Sequence, residues 1–333
     1  MLFGLGSGLS FVYWDSTNMD FPFLGGRVKP FVLTRNLATR VGLELWVQET
    51  TSPRRAWKDV ASLIDAGHPV GLQLDSYYLD YFGAKEHFGG HVVAMYGYDD
   101  HDAYLVDTAQ QGAAVSTSLH SLARARAARG PMTAKHRSFT LTTPRDLPCP
   151  QGQIIPAITA CADASLNPPI ANLGYRGIAK AGKLVRTWFQ RVDTPQRDLP
   201  QVALVMERAG TGGALFRNLY RDFLAECAQL LDSGHRLYTE AATLWTQVAA
   251  LITKAGDSGE AQHLVQAGTV LDELSRIERE AMQALSCLGD TPKARSGPDS
   301  VRPLGITENT DRWITHSLPI PKVEMAPPLV RDG

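Results

Sequence analysis

The stretch His87–Thr108 reads HFGGHVVAMYGYDDHDAYLVDT, and its reading decides what kind of domain surrounds it. VVAMYGY and AYLV are short apolar and aromatic runs on either side of the polar turn Asp99–Asp102, so the segment is a β-hairpin. A histidine, His91, opens the first strand and a carboxylate, Asp107, closes the second. An imidazole can take a proton near neutral pH and return it to a leaving group. It does so well when a carboxylate fixes its tautomer and stabilises its charged form. Side chains alternate faces along a strand, so His91 and Asp107 share a face only for one parity of the hairpin register. A four-residue turn over Asp99–Asp102 sets Asp107 on the wrong face. A three-residue turn, or one bulge, brings it back. The plainer reading, a hydrogen-bonded structural pair, stands beside the catalytic one. Gly89 and Gly90 allow close approach of another chain or a substrate beside His91. His87 and His91 are four apart, but Gly-Gly between them argues against a helix, and no third metal ligand is evident, so no metal is expected.

Around the hairpin the first half of the chain is mixed. VKPFVL and LELWVQET read as short β runs, RRAWKDVASLIDAG as a helix with Trp57, Val60, Leu63 and Ile64 on one face, and HPVGLQLDSYY and HRSFTLTTP as strands. A helix followed by several consecutive strands predicts an α+β domain with a largely antiparallel sheet over 1–144. PRDLPCPQG carries three prolines in seven residues and reads as a linker. Beyond it, segments near 153–165, 176–191, 213–232, 234–255 and 260–288 repeat apolar residues at three- and four-residue steps, which predicts an all-α bundle of about five helices over 145–289. From 290 to 333 there are seven prolines and little apolar periodicity, the composition of a mostly disordered tail.

The 333 residues carry a net charge of −1, with no basic run, which gives no footprint for nucleic acid or an anionic membrane. No apolar run reaches about 18 residues, and the apolar N-terminus lacks a basic start and a cleavage site, so the expectation is a soluble cytoplasmic protein. The four cysteines, Cys149, Cys161, Cys227 and Cys287, are far apart and read as reduced thiols. In DSYYLDYF, Asp75, Tyr78 and Tyr81 are either core or the lining of a cleft for a cationic, hydroxylated acceptor. GTGG at Gly210–Gly213 opens a helix, as an anion site or as a tight helix junction. Arg217 and Arg221 beyond it are expected to face a partner or solvent.

GGHVVAMYGYDDHDAYLVDT resembles the His/Asp hairpin of papain-like cysteine peptidases and transferases. With FGLGSGLSFVYW, DSYYLDYF and GTGGALFRNLYRDFL it resembles, over roughly residues 1–290, the butirosin biosynthesis protein H family. The resemblance implies a papain-like N-terminal domain joined to a helical domain of unassigned role. It also implies acyl transfer from the phosphopantetheine thioester of an acyl carrier protein to an amine of an aminoglycoside-like metabolite. His91 would be the base, Asp107 its orienting group, Asp75, Tyr78, Tyr81 and Arg217 substrate contacts, and no cofactor of its own is needed. In relatives the nucleophilic Cys lies upstream of FGLGSGL, and this sequence opens inside that stretch. With no cysteine in the N-terminal domain, the expectation is either a truncated chain, with an exposed groove beside His91 that makes it prone to aggregate or dependent on a partner, or a protein that works without a covalent intermediate. Ser7 is a turn residue rather than a substitute nucleophile. A cysteine peptidase or amidase with the same residues, or a non-catalytic binding protein, are the alternatives.

Overall fold

Helix α1 (Leu2–Leu5) leads through a turn at Ser7, whose φ of 47° is left-handed, into the antiparallel hairpin β1 (Leu9–Trp14) and β2 (Phe23–Arg27). The computed structural model describes residues 1–16, 21–83, 87–130, 135–144, 150–208, 212–228 and 234–289. The proline-rich stretch 290–333 therefore lies outside the described residues, as does most of the expected linker.

VKPFVL is not a strand. Its proline is the first residue of helix α2 (Pro30–Val41), where a fixed φ and a missing N–H suit the helix start, and Gly42 closes it at a φ of 73°. Strand β3 (Glu44–Gln48) and helix α3 (Pro53–Asp65) follow, the latter capped by the Ser52 hydroxyl, which accepts from the Arg55 N–H. Then come β4 (Val70–Leu74), β5 (His91–Tyr98), β6 (Asp102–Val106), β7 (Ala114–Ser118), helix α4 (Leu119–Ala127) and β8 (Ser138–Thr142). Strands β3 to β8 form one antiparallel sheet in the order β3-β8-β4-β5-β6-β7. Val70, Leu72, Leu74, Val93, Met95, Ala103 and Leu105 are buried on the face covered by α3 and α4. The opposite face keeps Val47, Tyr96, Val106 and Leu141 substantially exposed.

Beyond residue 150 the described residues are mainly helical: α5 (Ile154–Leu166), α6 (Gly174–Val185), α7 (Trp188–Arg191), α8 (Pro195–Arg208), α9 (Ala214–Glu226), α10 (Gly234–Ser258) and α11 (Gln262–Ser286). The bundle thus holds more than the expected five helices. Pro200 lies inside α8, so the residues that argue against a helix locally are overruled by packing of Leu199, Val202, Ala203 and Met206 into the core. The architecture is α+β with antiparallel sheets and a helical C-terminal part.

The division expected at residue 144 cuts across a core. Leu5, Leu9, Phe11, Tyr13 and Leu24 of the first hairpin are buried with the helices, not with the sheet, and Met1–Asp290 groups as one compact unit. The Ser7 hydroxyl donates to the Ala157 carbonyl at 2.7 Å, and Trp188 Nε1 donates to the Tyr13 hydroxyl at 3.3 Å. Inside this core sits Arg217, which is 0% exposed. Its Nε and Nη2 donate to Glu278 Oε1 and Oε2 at 2.8 and 3.0 Å. Trp245 Nε1 donates to the same Oε1 at 2.6 Å, and the guanidinium lies 4.8 Å from the Trp245 ring. A buried charge survives only with such a partner. Glu278→Leu is therefore expected to lower unfolding free energy by about 3–5 kcal/mol, by leaving Arg217 buried and uncompensated. The double variant Arg217→Met/Glu278→Leu should recover most of that loss in urea unfolding.

Candidate functional site

Strand β5 opens on His91, which pairs with Leu74 of β4. Along the hairpin, Ala94 faces Val106 and Met95 faces Leu105, but beyond that Gly97 faces Tyr104 and Tyr98 faces Ala103. Tyr96 is the extra residue, a bulge in β5. The turn itself is tight: Asp99 N–H donates to the Asp102 carbonyl, and Asp99 Oδ1 accepts the N–H groups of His101 and Asp102, each at 2.8 Å. Without the bulge, Asp107 would fall opposite Ala94, on the other face from His91. With it, the register carried one step past Val106 sets Asp107 opposite Val93, two residues from His91 and on its face.

The two side chains meet. His91 Nε2 lies 2.7 Å from Asp107 Oδ2, with the histidine side chain 15% exposed and the carboxylate 0%. Asp107 Oδ2 also accepts the Tyr81 hydroxyl at 2.8 Å, and Oδ1 accepts the Thr108 N–H at 2.6 Å. Burial pushes the Asp107 carboxyl up. The His91 bond and charge, then Tyr81 and Thr108, outweigh it and hold the group below the usual carboxylate range. Burial, followed by the bond to Asp107, drives the Tyr81 phenol well above its ordinary value, so it stays a donor. With an ionised carboxylate at Nε2, that nitrogen carries the ring proton and Nδ1 is left as the lone-pair base. The Phe82 ring packs edge-on against the imidazole at 5.2 Å.

Of the residues expected to contact substrate, the structure assigns different work to most. Tyr81 belongs to the dyad as the second donor to Asp107. Asp75 is buried, and its oxygens accept the N–H groups of Tyr77 and Phe88 and face His87 Nδ1 at 2.9 Å. It caps the 3-10 turn Ser76–Tyr78 that carries the tyrosines, so it is not open to a cationic acceptor. Tyr78 packs with the sheet core and under the Arg124 guanidinium, 4.6 Å away. Arg217 is withdrawn from any ligand by burial against Glu278, while Arg221 is on the surface side, paired with Asp222. Gly210 and Thr211 lie outside the described residues. Gly212 donates to the Leu24 carbonyl, and a Cβ on Gly213 would meet the Met206 carbonyl at 2.5 Å. Close approach to strand β2 accounts for Gly212, and close approach to α8 for Gly213.

A second pair, His87 with Asp75, was not anticipated. His87 is 61% exposed and stacks on Tyr77 at 4.0 Å. Nothing in the spacing of Asp75 and His87 announces it, because their meeting depends on the chain doubling back between β4 and β5. Among the described residues no group of three His, Cys, Asp or Glu side chains could hold a metal, and no helix is long and apolar enough to cross a membrane. Two hollows lie against α3 and α4, both lined by Pro53, Arg126 and His136.

Because the Asp107 carboxyl is held low in the folded protein, its contribution to stability is complete above the unfolded carboxylate range and is lost as pH falls through the folded value. Tyr81→Phe removes one of the bonds that hold it there. The expected result is a loss of about 1.5–3 kcal/mol at neutral pH and an acid-unfolding limb moved to higher pH, read by circular dichroism across a pH series.

Comparison with known proteins adds two matches to family models, each over part of the chain. No curated protein matches the chain significantly. Residues 120–285 match the model of a domain of unknown function, DUF4872. Residues 1–108 match that of butirosin biosynthesis protein H, N-terminal, a segment that ends one residue beyond Asp107 and so contains both members of the dyad. Over this N-terminal third the chain is similar to butirosin biosynthesis protein H.

Proposed function

We propose that this protein takes part in acyl transfer in antibiotic-type secondary metabolism, on a papain-like scaffold. An acyl group held as a thioester on the phosphopantetheine arm of an acyl carrier protein passes to an amine of a small, aminoglycoside-like acceptor. The observation that carries this reading is the part-buried contact of His91 Nε2 with Asp107 Oδ2 at 2.7 Å. The family match supports the biosynthetic context.

The residues of this chain would move protons. His91 Nδ1 takes a proton from the acceptor ammonium, and the freed amine attacks the thioester carbonyl. The C–N bond forms, the C–S bond breaks, and the imidazolium returns its proton to the departing thiolate; the second proton shed by the newly bonded nitrogen passes to the freed imidazole and on to solvent. Asp107 stabilises the imidazolium throughout, itself ionised because three donors hold it so. The described cysteines suit no covalent relay at this histidine. Cys161 and Cys227 are buried in the helical core, where burial pushes each thiol up to about 11. Cys287 is exposed at the end of α11, and Cys149 lies outside the described residues.

The test is a mass-spectrometric assay with an acyl-carrier thioester and an aminoglycoside amine. His91→Ala is expected to slow amide formation by about 10²–10⁴-fold, and Asp107→Asn by about 10²-fold or more. A His91→Ala protein as fast as the native one would sink the assignment. Release of free acid at a rate indifferent to the amine would instead favour a peptidase or amidase. Acceptor binding without turnover would favour a binding protein.

A further inference from the structure

Arg126, near the end of α4, is 4% exposed. Its Nη1 and Nη2 donate to the Ala56 and His136 carbonyls at 3.3 and 3.2 Å, while its buried Nε has no partner among the described residues. Among the described residues no carboxylate pairs with it. Asp59 is near enough to be felt, but forms its ion pair with Arg55 at 3.6 Å. A buried guanidinium with an idle donor and no counter-ion is costly, and such a group calls for something to complete it.

The space beside it is built for that. Arg126, Pro53 and His136 line two adjoining hollows. One, of about 260 Å³, is walled by Trp57, Leu119 and Leu122. The other, of about 510 Å³, is rimmed by Arg129 and Lys135 with the hydroxyl-bearing Thr50 and Thr51. The N-terminal turn of the 13-residue α3, capped by Ser52, opens on the same place and adds its positive dipole end. Lys135 and His136 hold left-handed φ values of 49° and 53°, a conformation that non-glycine residues adopt at a cost and that presents them there.

We propose that these hollows form a binding site for an oxyanion attached to an apolar body, with Arg126, Arg129 and Lys135 taking the anion and Trp57, Leu119 and Leu122 the apolar part. The sheet puts this site at the His91 end. Leu72 pairs with Ser138, and the Gln73 N–H donates to the Arg137 carbonyl, which carries the register to Leu74 beside His136. Leu74 pairs on its other side with His91. Two strand spacings, about 10 Å, therefore separate the backbones of His136 and His91. The site stands on its own whatever reaction the dyad performs.

Phosphate esters and carboxylates share the required chemistry, and phenyl phosphate and benzoate distinguish them. Calorimetric titration of the full chain should show one saturable site for at least one of these probes. It should bind that probe about tenfold more tightly than inorganic phosphate or acetate, because the ring fills the apolar hollow. Preference for phenyl phosphate assigns a phosphate ester, and preference for benzoate a carboxylate. Arg126→Met should cut affinity at least about tenfold, the loss of a charged hydrogen-bond partner. Because a core change can disturb folding, the rim double variant Arg129→Ser/Lys135→Ser is the second arm. It should weaken binding several-fold, with a smaller salt dependence than the native protein. The proposal is overturned by the absence of saturable binding for both probes at millimolar concentration. It is equally overturned by a native affinity in the rim variant together with a folded Arg126→Met.

Discussion

One inserted residue in β5 decides whether His91 and Asp107 can meet. Strand side chains alternate with a period of two, so a unit shift in register exchanges the faces of everything beyond it. The tight turn at Asp99–Asp102 on its own leads Asp107 away from His91, and the bulge at Tyr96 reverses that. The dyad, its Tyr81 donor and the contact of Phe82 with the imidazole all lie downstream of this one irregularity. The bulge also leaves the Tyr96 ring partly in solvent, packed loosely on Tyr104, so the residue is placed for geometry rather than for core packing.

Two cores surround this hairpin and they divide the chain differently from its order. The sheet packs on α3 and α4, while the first hairpin packs with the helices that come more than a hundred residues later. Arg217, Glu278 and Trp245 show how the second core is specified. Three polar groups satisfy one another in the interior, and such a network tolerates few alternative packings, since any shift leaves a buried charge unpaired. Helix α2 joins the two regions, with Phe31 against Phe139 of the sheet and Leu37 and Val41 against the helical core.

The electrostatics of the sheet end are consistent with proton transfer rather than with thiol activation by any described cysteine. Donors surround Asp107 and keep it ionised, whereas the two core thiols are held protonated by burial. On the other side of Leu74 the charge balance is the reverse, with Arg126 desolvated and lacking a carboxylate among the described residues. The start of the interior strand β5 thus presents a base, and a neighbouring hollow presents positive charge with no carboxylate partner among the described residues.

Much of this was legible in the sequence alone. The hairpin, the helix with Trp57, Val60, Leu63 and Ile64 on one face, the candidate pair His91 and Asp107 and the amphipathic segment near 260–288 all follow from local periodicity and turn chemistry. Those signals are carried by residues within a few positions of one another. What only the tertiary structure decided depends on partners far apart in the chain. It set the parity of the β5–β6 register, turned VKPFVL into the start of a helix, and joined Asp75 to His87. Arg217 carries the same charge as Arg221 four residues on, yet one is sealed against Glu278 and the other is at the surface. No local pattern separates them, because burial is a property of the assembled neighbours and not of the residue.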